Sequence, residues 1–233
     1  MLLHTMPNIG WGLLAPSPFC VKAEVGLRLA GVAYRAMPTL TADKAPRGKL
    51  PWAEDGGVVI ADSERILEHV AATRGDPLDE AGASAGDRAQ AHLVRRTVEE
   101  SLYFAIVDER WRDPDLRAAY TTDLLAGLPR AARPLVRAWA TRLLTSQLRA
   151  QGMGRRPRDE VTAVGAADLA AVAAALGERP YFTGERPRGV DAAVFGQLAN
   201  LWYVPVETPL RTALAGHPNL VAFVERVAAK VAA

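Results

Sequence analysis

The order of short apolar runs and helical stretches in residues 1–74 is the feature that most limits the possible fold. Runs at Met1–Thr5 and Ala33–Met37 have the length and composition of β-strands. Between them, an amphipathic helix begins at Ser17-Pro18 and stops near Gly31. Two strands joined through one helix normally lie in the same sheet. The sequence therefore predicts a β-α-β unit at this end of the chain.

A hairpin and a second helix follow this unit. The Asp-Gly-Gly turn at 55–57 supplies the positive φ that tight hairpins need, and it separates strand candidates at Pro51–Glu54 and Val58–Ala61. Asp62 or Ser63 can then cap a helix that runs to about residue 73. This order of elements favours one central sheet carrying helices.

The rest of the chain is predominantly helical. Residues 75–86 are polar and rich in small side chains, a composition typical of linkers. Proline and glycine residues separate the helices that follow. Helices are predicted at 88–112, 115–126, 130–150, 160–176, 190–203 and 219–231. The helix at 190–203 has small residues between its apolar ones, so we expect it to be buried. We predict an α/β domain at 1–74, a linker at 75–86 and an all-α domain at 87–233.

The composition excludes several classes of protein. A net charge of +2 over 233 residues is too small to predict a nucleic acid or membrane partner. The arginines are spread along the helices, and we interpret them as solvated helix faces; they include Arg95, Arg96, Arg110, Arg130, Arg133, Arg155 and Arg156. The chain shows no secretory signal pattern and no uncharged apolar run of about 18 residues. These features predict a cytoplasmic protein.

Cysteine and histidine give few options for chemistry. Cys20 is the only cysteine, which excludes an intramolecular disulfide. The four histidines lack the spacing of metal ligands, so no metal site is predicted. No glycine-rich phosphate-binding loop is present either.

Ser17-Pro18 is the pair of residues that deserves the closest comparison of alternatives. Serine followed by proline is favoured at the start of a helix, so Ser17 could serve only as a cap. Alternatively, its hydroxyl, the free N–H groups of the first turn and the helix dipole could stabilise a thiolate. Cys20, three residues later, could be a small buried side chain or a competing nucleophile. The sequence leaves both questions open.

Two further segments contain polar groups that suit a small peptide. The backbone of Leu50, before Pro51, could pair with an extended peptide, although Pro51 could equally be an ordinary loop proline. Asp62 and Ser63 could merely cap their helix. They could also receive a ligand's ammonium and carboxylate groups, respectively. Lys49 is either a surface lysine or a contact for a second carboxylate.

These segments together resemble a known family. Segments 17–22 (SPFCVK), 49–51 (KLP) and 61–63 (ADS) resemble the N-terminal domain of glutathione S-transferases. Segment 184–196 resembles the entry to the buried helix of their C-terminal domain. Segments 49–52 and 181–184 bring the chain closest to the branch that contains metaxins and failed-axon-connections proteins. The resemblance implies a thioredoxin-like α/β domain followed by an all-α domain.

The resemblance also assigns roles to the candidate residues. It implies that Ser17 hydrogen-bonds the thiolate of glutathione and that Leu50 pairs with the cysteinyl unit beside a cis Pro51. It implies that Asp62 and Ser63 hold the γ-glutamyl end. Lys49 would then be available to the glycyl carboxylate.

The implied activity needs a second substrate. An apolar electrophile would lie near Trp11, Tyr103 and Trp111, with glutathione as co-substrate and the chain as a homodimer. The function implied is a glutathione S-transferase-like enzyme that activates a low-molecular-weight thiol for attack on this electrophile. The alternative is a non-catalytic binding or adaptor protein of the metaxin kind. Thiol-dependent isomerisation or reductive cleavage would use the same residues, so the sequence does not separate them from conjugation.

Overall fold

The amino-terminal part of the chain forms a four-stranded sheet in a computed structural model that describes residues 1–232. The strands are β1 (Leu2–Thr5), β2 (Arg35–Pro38), β3 (Trp52–Asp55) and β4 (Val58–Ala61). Their order is β2-β1-β3-β4; β1 pairs with β2 in parallel, and the other two pairs are antiparallel. Helices α1 (Pro18–Leu29) and α2 (Ser63–Arg74) pack on this sheet. The predicted thioredoxin-like arrangement is therefore confirmed.

The remainder of the described chain is helical, as predicted. Its elements are α3 (Ala85–Thr97), a π-helical segment (Val98–Leu102), α4 (Tyr103–Arg112), α5 (Pro114–Leu124), α6 (Arg133–Gln151), a 3₁₀ turn (Met153–Arg155), α7 (Arg158–Leu176), α8 (Gly189–Trp202), α9 (Pro209–Ala215) and α10 (Pro218–Ala232). The predicted helix at 88–112 corresponds to α3, the π-helical segment and α4, which follow one another without a gap. The exact domain boundaries at 74 and 87 stay a prediction.

Helix α9 was not expected from the sequence. Pro209 suggests a break in a helical pattern, but it occupies the first turn of α9, where a proline loses no helical hydrogen bond. Thr208 caps this helix by accepting a hydrogen bond from the Arg211 N–H at 3.2 Å. A proline can therefore mark the start of a helix as well as the end of one.

Helix α8 passes through the centre of the molecule, and its expected burial is confirmed. Asp191 in its first turn accepts hydrogen bonds from the backbone N–H groups of Phe182, at 2.9 Å, and Arg188, at 2.8 Å. Gly196 lies directly against the first turn of α1, where a Cβ atom would overlap the carbonyl oxygen of Pro18. This close approach fixes the start of α1 against the helical part of the chain.

Candidate active site

The candidate site lies at one end of the sheet, where three chain segments meet. His4 of β1 pairs with Trp52 of β3, and Trp52 pairs in turn with Ala61 of β4. Pro51, just before β3, and Asp62, just after β4, are therefore neighbours at this end. The loop from β1 to α1 leaves the sheet at the same end. The sheet register thus brings together the segments that the sequence singles out.

Ser17 occupies the N-cap position of α1 without using its side chain as a cap. Its backbone is extended, with φ −98° and ψ 122°, and its hydroxyl makes no capping hydrogen bond. The first helical hydrogen bond runs from Val21 N to Ser17 O at 3.0 Å. The N–H groups of Phe19 and Cys20 precede that bond, and Pro18 has no N–H. Ser17, a half-buried residue, therefore lies at the positive end of α1.

Cys20 is fully buried one turn further along α1. Burial raises the pKa of its thiol, and hydrogen bonds with the Thr5 side chain, the Met6 backbone and the Ser17 side chain oppose that effect without reversing it. A buried thiol with a raised pKa is a poor nucleophile at neutral pH. Of the two alternatives, the structure favours the small buried residue.

The other predicted glutathione contacts differ in exposure. The Leu50–Pro51 peptide bond is cis, Leu50 is half-buried and Lys49 is exposed. Asp62 has a positive φ of 83°, which is unusual for a residue with a side chain, and its carboxylate accepts a hydrogen bond from Glu64 N at 2.8 Å. Ser63 is buried at the start of α2. Asp62 therefore caps α2, which is the first of the two roles considered for it, the second being contact with a ligand.

A cluster from the helical domain holds the peptide that precedes Ser17. Arg110 Nη1 and the Tyr120 hydroxyl each donate to the Pro16 carbonyl oxygen at 3.0 Å. Arg110 Nη2 also donates to Asn200 Oδ1 at 3.1 Å, and its guanidinium stacks over the Tyr120 ring at 3.8 Å. We call Arg110, Tyr120 and Asn200 the Pro16 clamp. It connects α4, α5 and α8 to the residue directly before Ser17.

The interpretation of Arg110 as part of a solvated helix face is wrong. Its exposed fraction is only 6%, and within residues 1–232 no carboxylate pairs with it. Burial raises the pKa of Tyr103, and the charge of Arg110 acts against this rise. Because Arg110 contacts the Pro16 carbonyl, two residues before α1, this buried cation lies close to the first turn of the helix. Helical spacing from the apolar residues Ile106 and Val107 was the only signal in the sequence that could have indicated burial.

The three aromatic residues expected around a second substrate lie in two places. Tyr103 packs against Phe19 with ring centroids 4.9 Å apart, and it joins the apolar cluster that contains Trp111. Trp11 packs instead on Tyr120 and donates from Nε1 to Asp123 Oδ2 at 2.9 Å. Of these three residues, Tyr103 is therefore the one that contacts the first turn of α1, whereas Trp11 connects the β1–α1 loop to α5.

A buried ion-pair network lies behind the start of α2. Lys22 Nζ contacts Glu64 and Glu99 carboxylate oxygens, each at 2.6 Å, and Arg95 also pairs with Glu64. Burial lowers the pKa of Lys22, while Glu99 opposes the shift. This network joins α1, α2 and α3 next to Ser63, and no pattern in the sequence predicted it.

Comparison with known proteins agrees with this geometry. The model of the glutathione S-transferase N-terminal domain matches residues 18–116, and that of the glutathione S-transferase C-terminal domain matches residues 165–227. The isoprene-epoxide–glutathione S-transferase of Rhodococcus sp. (strain AD45) is 30% identical over 224 residues, with 93% of both chains covered. The chain belongs to the glutathione S-transferase family. The predicted family is thereby confirmed.

The chain is also similar, at lower identity, to other proteins. Failed axon connections of Drosophila melanogaster is 28% identical over 91% of this chain and 53% of its own length. A Metaxin-1 homolog of Caenorhabditis briggsae is 27% identical over 97% of this chain and 72% of its own. The solved structure of a glutathione transferase from Phanerochaete chrysosporium superposes with a TM-score of 0.66 at 17% identity, covering 98% of this chain and 96% of that one. This last likeness shows the shared fold.

Proposed function

We propose that this glutathione S-transferase family member is an enzyme that activates a low-molecular-weight thiol for attack on an apolar electrophile. One observation carries the proposal: Ser17 stands at the positive end of α1, and its hydroxyl, which contacts the Cys20 thiol, leaves the N–H groups of the first turn uncapped. A hydroxyl donor and a helix N-terminus both stabilise a thiolate relative to its thiol. Since the thiolate is the nucleophile, this arrangement supports thiol activation.

The residues around Ser17 fit glutathione as the co-substrate. The backbone of Leu50 is available beside Pro51 for pairing with an extended peptide, and Lys49 is exposed for a carboxylate. Asp62 carries a negative charge for the ammonium of the γ-glutamyl end, and Ser63 begins a helix whose N–H groups suit the carboxylate there. The set offers one complementary group for each charged end of the tripeptide.

The Pro16 clamp supports the same chemistry from the second domain. Arg110 adds a buried cation close to the first turn of α1, and a cation in a low-dielectric setting acts more strongly than one in water. Its hydrogen bond to Pro16 also restricts the peptide before Ser17. We therefore include Arg110 as a positioning residue that acts through Ser17.

The second substrate is proposed to lie beside Phe19 and Tyr103, close to Ser17. Trp111 would contribute through the apolar cluster it shares with Tyr103, and Trp11 would contribute from the β1–α1 loop. The Rhodococcus relative is named for transfer of glutathione to isoprene epoxide. A small apolar epoxide is therefore the first electrophile to test.

The test compares variants at two positions that are one helical turn apart. Purified chain is assayed for glutathione consumption with a small epoxide and with an aryl halide. Ser17→Ala should lose at least about 90% of kcat/KM, since removal of one donor to a developing anion typically costs tenfold or more. Cys20→Ala should retain activity, because Cys20 is buried away from solvent. Equal activity of Ser17→Ala and the parent chain would remove Ser17 from the mechanism.

A second candidate function is that of a non-catalytic binding or adaptor protein. The similarity to failed axon connections and to a Metaxin-1 homolog favours it. Isothermal titration separates the two candidates. Glutathione binding with turnover supports the enzyme, whereas no heat at millimolar glutathione supports the adaptor.

The assembly and location proposed are a homodimer in the cytoplasm. Val58 and Val59 on edge strand β4, together with Leu93 on α3, are exposed apolar residues that suit contact between one protomer's first domain and its partner's second. Light scattering behind a sizing column tests this assembly: a mass near twice 25.0 kDa is expected, and a mass of 25.0 kDa contradicts it.

A further inference from the structure

The charges of this chain are distributed very unevenly. Residues 124–158 contain no aspartate, glutamate or lysine but hold eight arginines: Arg130, Arg133, Arg137, Arg142, Arg149, Arg155, Arg156 and Arg158. The whole chain has 28 basic and 26 acidic residues. Without this segment, 20 basic and 26 acidic residues remain, a net charge of −6. The overall charge of +2 therefore averages a strongly positive segment and a negative remainder.

Helix α6 occupies the middle of this segment and is packed along one side only. Leu148 is its one buried residue, and Ala140 and Leu144 contact the cluster on α4. The opposite side exposes Leu135, Trp139 and Leu143, with exposed fractions of 75%, 65% and 40%. These residues are four apart, so they form a continuous apolar row on one face of the helix.

Arginine side chains lie along the same side of α6. Arg142 and Arg149 are exposed next to the apolar row, and together with Arg155 they line a shallow surface groove. Within residues 1–232 the guanidinium groups of Arg142 and Arg149 form no ion pair. We call Leu135, Trp139, Arg142, Leu143, Arg149 and Arg155 the cationic face.

We propose that the cationic face is a peripheral membrane-binding surface that takes the anionic headgroups of a lipid bilayer. Guanidinium groups pair well with phosphate oxygens, and each basic residue near an anionic bilayer adds about 1 kcal/mol of binding free energy. The anionic bilayer repels the negatively charged remainder of the molecule, and this repulsion orients the chain with α6 towards the lipid.

The apolar row decides between lipid and nucleic acid as the partner. Leucine and tryptophan side chains on a basic helix enter the boundary between headgroups and acyl chains, and tryptophan is especially suited to that boundary. Leu135 and Leu143 would find no comparable apolar environment on a phosphate backbone. None of the helices in residues 1–232 is long and apolar enough to cross a bilayer, so α6 would lie on the surface.

Vesicle sedimentation tests this proposal on the full chain. Wild-type protein should sediment with phosphatidylcholine vesicles that contain a quarter of phosphatidylglycerol, and binding should weaken as salt is raised. Arg142→Gln with Arg149→Gln should reduce affinity by about tenfold or more. Trp139→Ser should reduce it by a similar factor while leaving the charge unchanged. These positions are exposed, so circular dichroism should show intact folding.

Matched variants elsewhere on the surface provide the controls. Arg65→Gln with Arg186→Gln removes the same charge from exposed positions outside the cationic face, and Leu93→Ser removes an exposed leucine from α3. Both should bind vesicles like the wild type. The proposal would be overturned if the control variants reduced vesicle binding as much as the variants of the cationic face do. It would also be overturned if the wild type did not bind anionic vesicles, or if a DNA duplex competed with the vesicles for the protein. Self-association that requires Trp139 in the absence of lipid would overturn it as well.

Discussion

Arg110 donates a hydrogen bond over 3.0 Å to the carbonyl oxygen of Pro16, so a residue of the helical domain holds the peptide directly before Ser17. The two residues are 94 positions apart in the sequence. The candidate nucleophile-activating residue is consequently positioned from both domains. Its alignment depends on the helical domain as well as on the sheet.

Replacement of Arg110 should alter the chemistry more than the fold. Arg110→Met removes the buried cation and one of the two donors to Pro16. We expect the apparent thiol pKa in the pH–rate profile to rise by about one unit, and kcat/KM at neutral pH to fall about tenfold. Tyr120→Phe keeps the cation, so it should leave this pKa unchanged and cost about 1 kcal/mol of unfolding free energy. Identical pH profiles for the two variants would contradict an electrostatic role for Arg110.

Removal of one partner from the Lys22 network should lower the free energy of unfolding, because it leaves a buried charge unpaired. Lys22→Met leaves the buried carboxylate of Glu99 without its main cation, so denaturant unfolding should show a loss of about 3–5 kcal/mol. Arg65→Met is the control, because Arg65 and Glu68 form an exposed pair. Its removal should cost less than about 1 kcal/mol. Equal losses in the two variants would show that burial of the pair is irrelevant.

The contact between α1 and α8 should depend on the absence of a side chain at position 196. Gly196→Ala places a Cβ atom against backbone atoms of Pro18 and Lys22, which cannot rotate away. We expect a loss of about 3 kcal/mol or more, measured by thermal or denaturant unfolding. Gly86→Ala in α3 has no close neighbour to meet and should be neutral or stabilising. A stable, fully active Gly196→Ala chain would mean that α1 and α8 are further apart than described.

Asp191 should make stability depend on pH. Burial raises the pKa of Asp191 to about 7, although the backbone hydrogen bonds from Arg188 and Phe182 lower it in part. Between the unfolded value near 4 and this folded value, the folded chain binds the proton more tightly. The contribution of Asp191 is therefore fully present below about pH 4 and is lost as pH rises towards 7. The unfolding free energy of wild type minus that of Asp191→Asn should fall across this range. A difference that grows with pH would show that the carboxylate is stabilised in its charged form.

Much of the fold could be predicted because its signals are local. The Asp-Gly-Gly turn at 55–57 indicates the hairpin, although its first strand, β3, begins at Trp52, one residue later than expected. The small residues of α8 indicate its burial. Pro209 was ambiguous, because a proline can either end a helix or begin one, and only the chain that follows decides which.

The site was less predictable, because its decisive contacts are distant in sequence. The pair Ser17-Pro18 fits a serine hydroxyl that caps α1 as well as one that does not, and only the orientation of the side chain separates these two possibilities. Arg110 and Lys22 look like ordinary helix-surface residues. Their partners Asn200 and Glu99 lie 90 and 77 positions away, so no local pattern reveals which groups they contact.

The most direct test of thiol activation is the titration of glutathione bound to the saturated chain, followed by the ultraviolet absorbance of the thiolate. With wild-type protein the thiol should titrate at least about one unit below its usual pKa near 8.5. With Ser17→Ala, shown to be folded and to bind glutathione, the titration should return most of the way to that value. The same lowered pKa in both chains, or an unshifted pKa in the wild type, would contradict the role assigned to Ser17.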